Sequence, residues 1–218
     1  MRMVQIRGLI RASHFGPTLI VTGIAWGFAL HYWWEGPAYV IAFGVFTGQL
    51  VVGWSNDLVD YEDDLRHYRL KKPLVSGLLQ RKTLQRWLYF MVPFSFLANI
   101  FGPLGIKGGF VYMLGVACGV AYNFYFKFTA LSPLPYAIAF AALPSSVALS
   151  RDLFPPIWMW LGGALFGMSA HFINVLKDMK EDRVSGIHGL PQRLGTLGSI
   201  FAASALILLG LSALLIFR

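Results

Sequence analysis

The chain has 218 residues, of which 56% are hydrophobic and only 13% charged, with a mean hydropathy of +0.60. A soluble domain carries about a quarter charged residues, so this composition excludes a water-soluble enzyme and points to a membrane protein. The net charge of +8 would suit nucleic acid, but the basic residues are spaced along the chain in a way that excludes that partner.

Seven segments are apolar over the roughly 20 residues that a bilayer core requires. They are Phe15–Trp34, Ala38–Asn56, Leu84–Phe101, Gly108–Phe126, Pro133–Leu149, Pro155–Val175 and Thr196–Phe217. All are read as helices, because an open strand edge cannot exist in lipid. The expected fold is all-α: a polytopic transmembrane helix bundle of about seven spans, in a single domain over 1–218. The basic start before Phe15–Trp34 imitates a signal peptide, but the apolar run is too long and lacks a small-residue cleavage site. A retained first helix is expected.

The second segment runs into Asn56-Asp57-Leu58-Val59-Asp60-Tyr61-Glu62-Asp63-Asp64, which has an echo at Asn174, Asp178 and Asp182 near the end of the sixth. Asp57, Asp60 and Asp64 stand at i, i+3 and i+7, and Asn174, Asp178 and Asp182 at i, i+4 and i+8. On a helix each set falls on one face. Carboxylates are costly beside hydrocarbon, and those that persist there line ion, proton or substrate sites. Two such faces meeting across a bundle would line a central cavity suited to hard divalent cations. Mg²⁺ prefers oxygen ligands and is commonly held by one or two carboxylates plus substrate phosphate oxygens. Asp57, Asp60 and Asp64 with Asn56 would supply one side of such a site, and Asp178 and Asp182 with Asn174 the other. The metal would neutralise a diphosphate and make it a better leaving group. Zinc is disfavoured, since no Cys/His set has ligand spacing.

Between the second and third segments lies a long charged stretch, Asn56 to Arg86, and a second runs from Lys177 to Arg193. Eight of the ten acidic residues fall in these two loops. Arg69 and Lys72 lie just beyond the first motif, and Lys127 ends the fourth helix near Tyr122 and Asn123. Arg69, Lys72 and Lys127 are the cations expected to hold diphosphate oxygens, with Tyr122 beside them. Arg66, Lys71, Arg81 and Lys82 read as ordinary interfacial charges. Fifteen of the 18 basic residues, from Arg2 to Arg193, fall on one set of loops, and only Lys107, Arg151 and Arg218 on the other. That asymmetry places the N-terminus in the cytoplasm, the C-terminus outside and both acidic motifs at cytoplasmic helix ends.

Cys118 is the only cysteine and reads as a packing residue. His171 and Gln49 share the polar faces of their helices, where satisfied structural hydrogen bonds are expected. Gly23-x-x-x-Gly27, Gly44-x-x-x-Gly48 and Gly115-x-x-x-Gly119 permit close helix approach. Internal packing is expected of them, with a dimer seam as the alternative. The order helix, Asn/Asp motif, basic loop, turn, helix occurs twice and hints at an internal repeat.

These residues resemble the UbiA-type intramembrane prenyltransferase superfamily. Asn56-Asp57-x-x-Asp60-x-x-x-Asp64 is similar to its first signature and Asp178-x-x-x-Asp182 to its second. Tyr122 to Lys127 resembles its Tyr/Lys region, and Lys72-Pro73-Leu74 its basic-Pro-Leu segment, with Lys where Arg is frequent. Leu190-Pro191-Gln192-Arg193-Leu194-Gly195 matches its exit from the second acidic loop. The resemblance implies that Asp57, Asp60, Asp64, Asp178 and Asp182 bind Mg²⁺–diphosphate, helped by Lys127 and Lys72. It implies transfer of a prenyl group from an isoprenyl diphosphate to an aromatic or lipid acceptor, with release of diphosphate. It also implies a bacterial or archaeal cell membrane as the setting.

The family typically builds nine helices, and this chain supplies seven before Arg218. A shortened branch closed by lipid or by a second copy, or a truncated relic, would account for the missing pair. A membrane terpene cyclase with the same metal site and an ion-coupled transporter are the competing functions. Coupling sites of transporters lie near the bilayer midplane, which fits motifs at helix ends poorly.

Overall fold

The computed structural model describes residues 3–217, so Arg2 and Arg218 of the charge pattern lie outside the described residues. The described residues form eight α-helices and no strands: α1 Met3–Ala12, α2 Phe15–Tyr32, α3 Glu35–Arg66, α4 Arg81–Phe101, α5 Gly105–Phe124, α6 Pro133–Leu149, α7 Gly163–Val184 and α8 Leu190–Phe217. A 3₁₀ turn at Phe126–Phe128 follows α5, and a π-helical turn at Trp158–Gly162 leads into α7. Each of the seven expected segments is helical. By length and composition, α3, α5, the stretch Trp158–Val184 and α8 can each cross a membrane, and α6 is a shorter apolar helix.

Two compact units make up the chain, Met1–Gly109 and Phe110–Arg218, with α5 beginning in the first and ending in the second. One acidic motif falls in each. In the first unit α3 is the central element and packs on α2 and α4. Its contacts are made close by small residues. Asn99 of α4 donates its amide to the carbonyls of Gly44, at 3.0 Å, and Ser95, at 2.8 Å. The Gly44 contact leaves no room for a side chain, since a Cβ there would lie 2.6 Å from Asn99 Oδ1. Gly23 and Gly27, by contrast, meet nothing within 4 Å, so that glycine pair does no packing within the chain.

Helix α1 has no counterpart among the expected segments. At ten residues it is too short to span, and its charges break the apolar run. Gly8, Leu9 and Ala12 are its buried face, while Ile6, Arg7, Ile10 and Arg11 point outward. Trp54 Nε1 donates to the Leu9 carbonyl at 3.0 Å and ties α1 to α3. Gly8 rests directly on the backbone of Leu78 and the Cβ of Leu79.

In the second unit α7 packs on α6 and α8. Gly163 and Gly167 lie against the backbone of α6 at Phe140 and Tyr136, and Ser169 Oγ donates to the Ala203 carbonyl of α8 at 3.0 Å. Gly115 approaches Ala139 of α6, with 3.3 Å between a Cβ there and its Cα. Helix α8 is two helical pieces joined at Gly195, whose φ of 71° and ψ of −177° are not helical. This break falls where the expected span Thr196–Phe217 begins. Ser199 Oγ donates across it to the Pro191 carbonyl at 3.1 Å.

Both charged loops are shorter than the sequence suggested. Helix α3 continues ten residues past Asn56 to Arg66, so the whole first motif is helical, and α7 runs to Val184. At the other end of the first loop, α4 takes in Arg81, Lys82 and Arg86. Acidic residues in a helix's last turns oppose its dipole. Here neighbouring cations neutralise them, and the helix persists.

Candidate functional site

The first motif is built by α3 and the loop 67–80 folding back on it. The Arg69 N–H donates to the Asp64 carbonyl at 3.0 Å, and successive turns follow through the Lys72 and Ser76 N–H groups. Tyr68 and Gly77 have positive φ, 50° and 73°, and let the loop reverse. Helix α1 supports it from beneath, and Gln5 Oε1 accepts the Gln80 N–H at 3.2 Å. The fold thus returns Lys72, fifteen residues later, to Asp57.

Lys72 Nζ lies 2.8 Å from Asp57 Oδ1 and 3.7 Å from Asp64 Oδ2. Arg69 Nη1 lies 2.8 Å from Asp64 Oδ1. Asp57 and Asp64 are 2% and 1% exposed, whereas Asp60 is only partly buried. The i, i+7 pair therefore points into the protein, with Asp60 beside it. Burial works against the Lys72 ammonium, but Asp57 and then Asp64 and Asp60 outweigh it and hold its pKa above the ordinary 10.5. Lys72 is consequently a fixed cation between two carboxylates. Asn56, expected as an oxygen ligand, donates its amide to Asp60 Oδ2 at 3.1 Å and so orients that carboxylate. Glu62 is exposed and pairs with Arg81 at 2.8 Å, away from the cluster.

Sequence reasoning gave no role to His14. It caps α2 in a left-handed conformation, φ 50°, and places Nε2 3.3 Å from Asp57 Oδ1. No local pattern links His14 to a residue 43 positions on. The contact depends on Gly53, where a Cβ would lie 2.7 Å from the Ser13 carbonyl oxygen and 2.8 Å from its carbon. Gly53→Ala is expected to push the α1–α2 turn off α3, lower stability by about 1–3 kcal/mol and reduce turnover. Thermal unfolding and activity measured on the same detergent-solubilised preparation check this. Wild-type values for both would show that the turn can yield.

The second motif sits on the last turns of α7. Asp178 and Asp182 are partly buried. Asp182 Oδ2 accepts Gln192 Nε2 from the start of α8 at 2.8 Å. Asn174, expected on the same oxygen face, is exposed and its side chain is hydrogen-bonded to Tyr136. Lys127, expected at the end of the fourth helix, stands instead in the 3₁₀ turn after it and is 5% exposed. Tyr122, in the last turn of α5, sets its ring edge-on to Tyr136 and His171, with centroids 5.2 and 5.4 Å away.

Gly189 brings these pieces together. A Cβ there would lie 2.8 Å from Gln192 Oε1, 2.8 Å from Ser132 Oγ and 3.1 Å from the Lys127 carbonyl oxygen. Ser132 Oγ accepts the Leu190 N–H at 3.0 Å and lies 3.0 Å from His171 Nε2. His171 was expected to make satisfied structural hydrogen bonds: its Nε2 has Ser132 as a partner, whereas its buried Nδ1 has none. Ser132 and Gly189 were not expected to take part, and Gln192 only as a member of the segment Leu190 to Gly195.

Among the described residues, no three His, Cys, Asp or Glu side chains form a ready-made cation site. A shared site does fit them: Asp57 Oδ2 is buried without a hydrogen-bond partner and is a hard oxygen donor. Mg²⁺ typically takes one or two carboxylates and completes its shell with water and substrate phosphate.

No curated protein matches this sequence. Two solved structures share its fold. One is a UbiA homolog from Archaeoglobus fulgidus bound to GPP and Mg²⁺, 14% identical, with a TM-score of 0.77 over 94% of this chain and 76% of that one. The other concerns digeranylgeranylglyceryl phosphate synthase in membranes, 16% identical, with a TM-score of 0.71 over 97% of this chain and 76% of that one. The model of the UbiA prenyltransferase family matches residues 16–218, and the chain belongs to that family.

Proposed function

We propose that the protein is a Mg²⁺-dependent prenyltransferase of the membrane, which moves a prenyl group from an isoprenyl diphosphate to an acceptor and releases diphosphate. The observation that carries this reading is the buried arrangement of Asp57 and Asp64 around Lys72, with Arg69 closing it. It combines hard oxygens for a cation with cations for phosphate. Asp57, Asp60 and Asp64, and in the second motif Asp178 and Asp182, would hold Mg²⁺, which when bound offsets the diphosphate's charge. Lys72, Arg69 and Lys127 would bind phosphate oxygens.

In the reaction the bond between the prenyl carbon and the diphosphate oxygen breaks with its electron pair on oxygen. The allylic cation is then captured by the acceptor, which gives up a proton. Surrounding helices that exclude water limit loss of the cation to hydrolysis. The A. fulgidus homolog was solved with GPP and Mg²⁺, which supports the choice of substrate class and metal. The seven helices α2 to α8 are proposed as spans, with the N-terminus cytoplasmic, as the basic loops require.

The test is incubation of membranes holding the full chain with labelled prenyl diphosphates of several lengths, with and without Mg²⁺. Diphosphate release should require the metal, and Asp60→Ala and Asp178→Ala should each abolish it. Unchanged turnover in both variants would refute the site. Products formed without any acceptor would identify a cyclase instead.

A further inference from the structure

The function proposed above needs the Asp182 carboxylate held in place at the exposed end of a helix. Gln192 reaches it from the start of α8, and its Nε2 donates to Asp182 Oδ2 at 2.8 Å. An ionised carboxylate only accepts, so the amide must turn its nitrogen toward Asp182, and this fixes the direction of Oε1. Gln192 is 8% exposed, and Oε1 is buried without a hydrogen-bond partner. A buried amide oxygen left unpaired is destabilising, and native proteins keep few of them.

The surroundings keep that oxygen in place. Gly189 has no side chain to cover it, and any Cβ there would meet it at 2.8 Å. Ser132 Oγ, which the same Cβ would meet at 2.8 Å, is engaged by Leu190 N–H and His171. Pro191, fully buried, and the Ser199 bond to its carbonyl fix the backbone that carries Gln192. The amide is thus rigid, correctly turned and incomplete.

We propose that Gln192 is a positioning residue for the second acidic motif. Its nitrogen holds Asp182 in the direction in which that carboxylate would meet Mg²⁺–diphosphate, and its buried oxygen, packed against Gly189, keeps the amide from swinging away. This rests on the function proposed above. A neutral donor on a ligating carboxylate fixes its orientation without adding charge.

The test uses the full chain in nanodiscs, Mn²⁺ as the probe and a non-hydrolysable prenyl thiolodiphosphate. Free Mn²⁺ is read by electron paramagnetic resonance, and unfolding temperature is measured with and without metal. Gln192→Met keeps length and loses both polar atoms, and is expected to weaken Mn²⁺ binding about tenfold. Gln192→Glu keeps an acceptor but sets a like charge against Asp182. It should unfold at lower temperature without metal and regain the difference when Mn²⁺ and the analogue are present. Wild-type affinity in the Met variant, or equal destabilisation of the Glu variant with and without metal, would overturn the proposal. If the Met variant fails to fold, the Glu variant decides alone. Wild-type protein that binds no Mn²⁺ with the analogue refutes the proposed function and this inference together, whereas wild-type binding with unaltered variants refutes only the role of Gln192.

Discussion

Methionine in place of Lys72 is expected to lower stability by about 3 kcal/mol, the low end of the cost of removing one partner from a buried ion pair. Lys72 is the cation shared by Asp57 and Asp64, both nearly inaccessible to solvent. Without it Asp57 keeps only His14, at 3.3 Å, and Asp64 keeps Arg69. Those remaining partners are the reason for choosing the lower figure. A second substitution separates electrostatics from packing. In Lys72→Met/Asp57→Asn the unbalanced charge is gone, so most of the stability should return, while diphosphate release should stay absent because both the proposed phosphate cation and a proposed metal ligand are missing. Chemical or thermal unfolding of the single and double variants in one detergent checks this. Equal instability of the two would mean that Lys72 acts through its packed methylene stem and not its charge.

Leucine at Gly167 is expected to exceed 4 kcal/mol and to prevent accumulation of folded protein in the membrane. A Cβ at that position meets the Tyr136 carbonyl oxygen, and lies 2.7 Å from Phe140 Cβ and 2.9 Å from its Cγ. A carbonyl inside a helix cannot swing aside, so α6 and α7 must separate. Separation would also stretch the 3.0 Å contact between Ser132 and His171 and leave a buried imidazole without its partner. Gly167→Ala should show a smaller loss in the same direction. Gly23→Ala is the control: nothing lies within 4 Å of that site, and alanine favours a helix over glycine by about 1 kcal/mol. Comparable expression of all three variants would contradict the close α6–α7 contact.

The apolar runs made the seven long helices legible, because a helix is the only structure that satisfies an uninterrupted apolar segment in lipid. The i, i+3, i+7 spacing also revealed that Asp57, Asp60 and Asp64 share a face. What it hid was that the helix continues to Arg66, since a stretch with six charged residues among the ten after Asn56 looks like a loop until their countercharges are known. Those countercharges, Lys72 and Arg69, come from a loop whose fold depends on the support of Gly8 and Gln5 in α1. That helix was invisible to a search for spans. The contacts of His14 with Asp57 and of Gln192 with Asp182 were hidden for a related reason. Each residue meets its carboxylate through the packing of a turn, at Gly53 and at Gly189, and such a contact has no period along the sequence.

Gly195 has a further consequence for anyone wishing to exchange the terminal membrane helix. A φ of 71° with ψ of −177° is a conformation essentially reserved for glycine, and another residue there would cost about 1–3 kcal/mol. The bend looks like a natural splice point, but Ser199, four residues beyond it, supplies the hydroxyl that closes the carbonyl of Pro191. A chimera joined at Gly195 would leave that carbonyl open and free the segment bearing Gln192, so a transplanted helix should begin after Ser199.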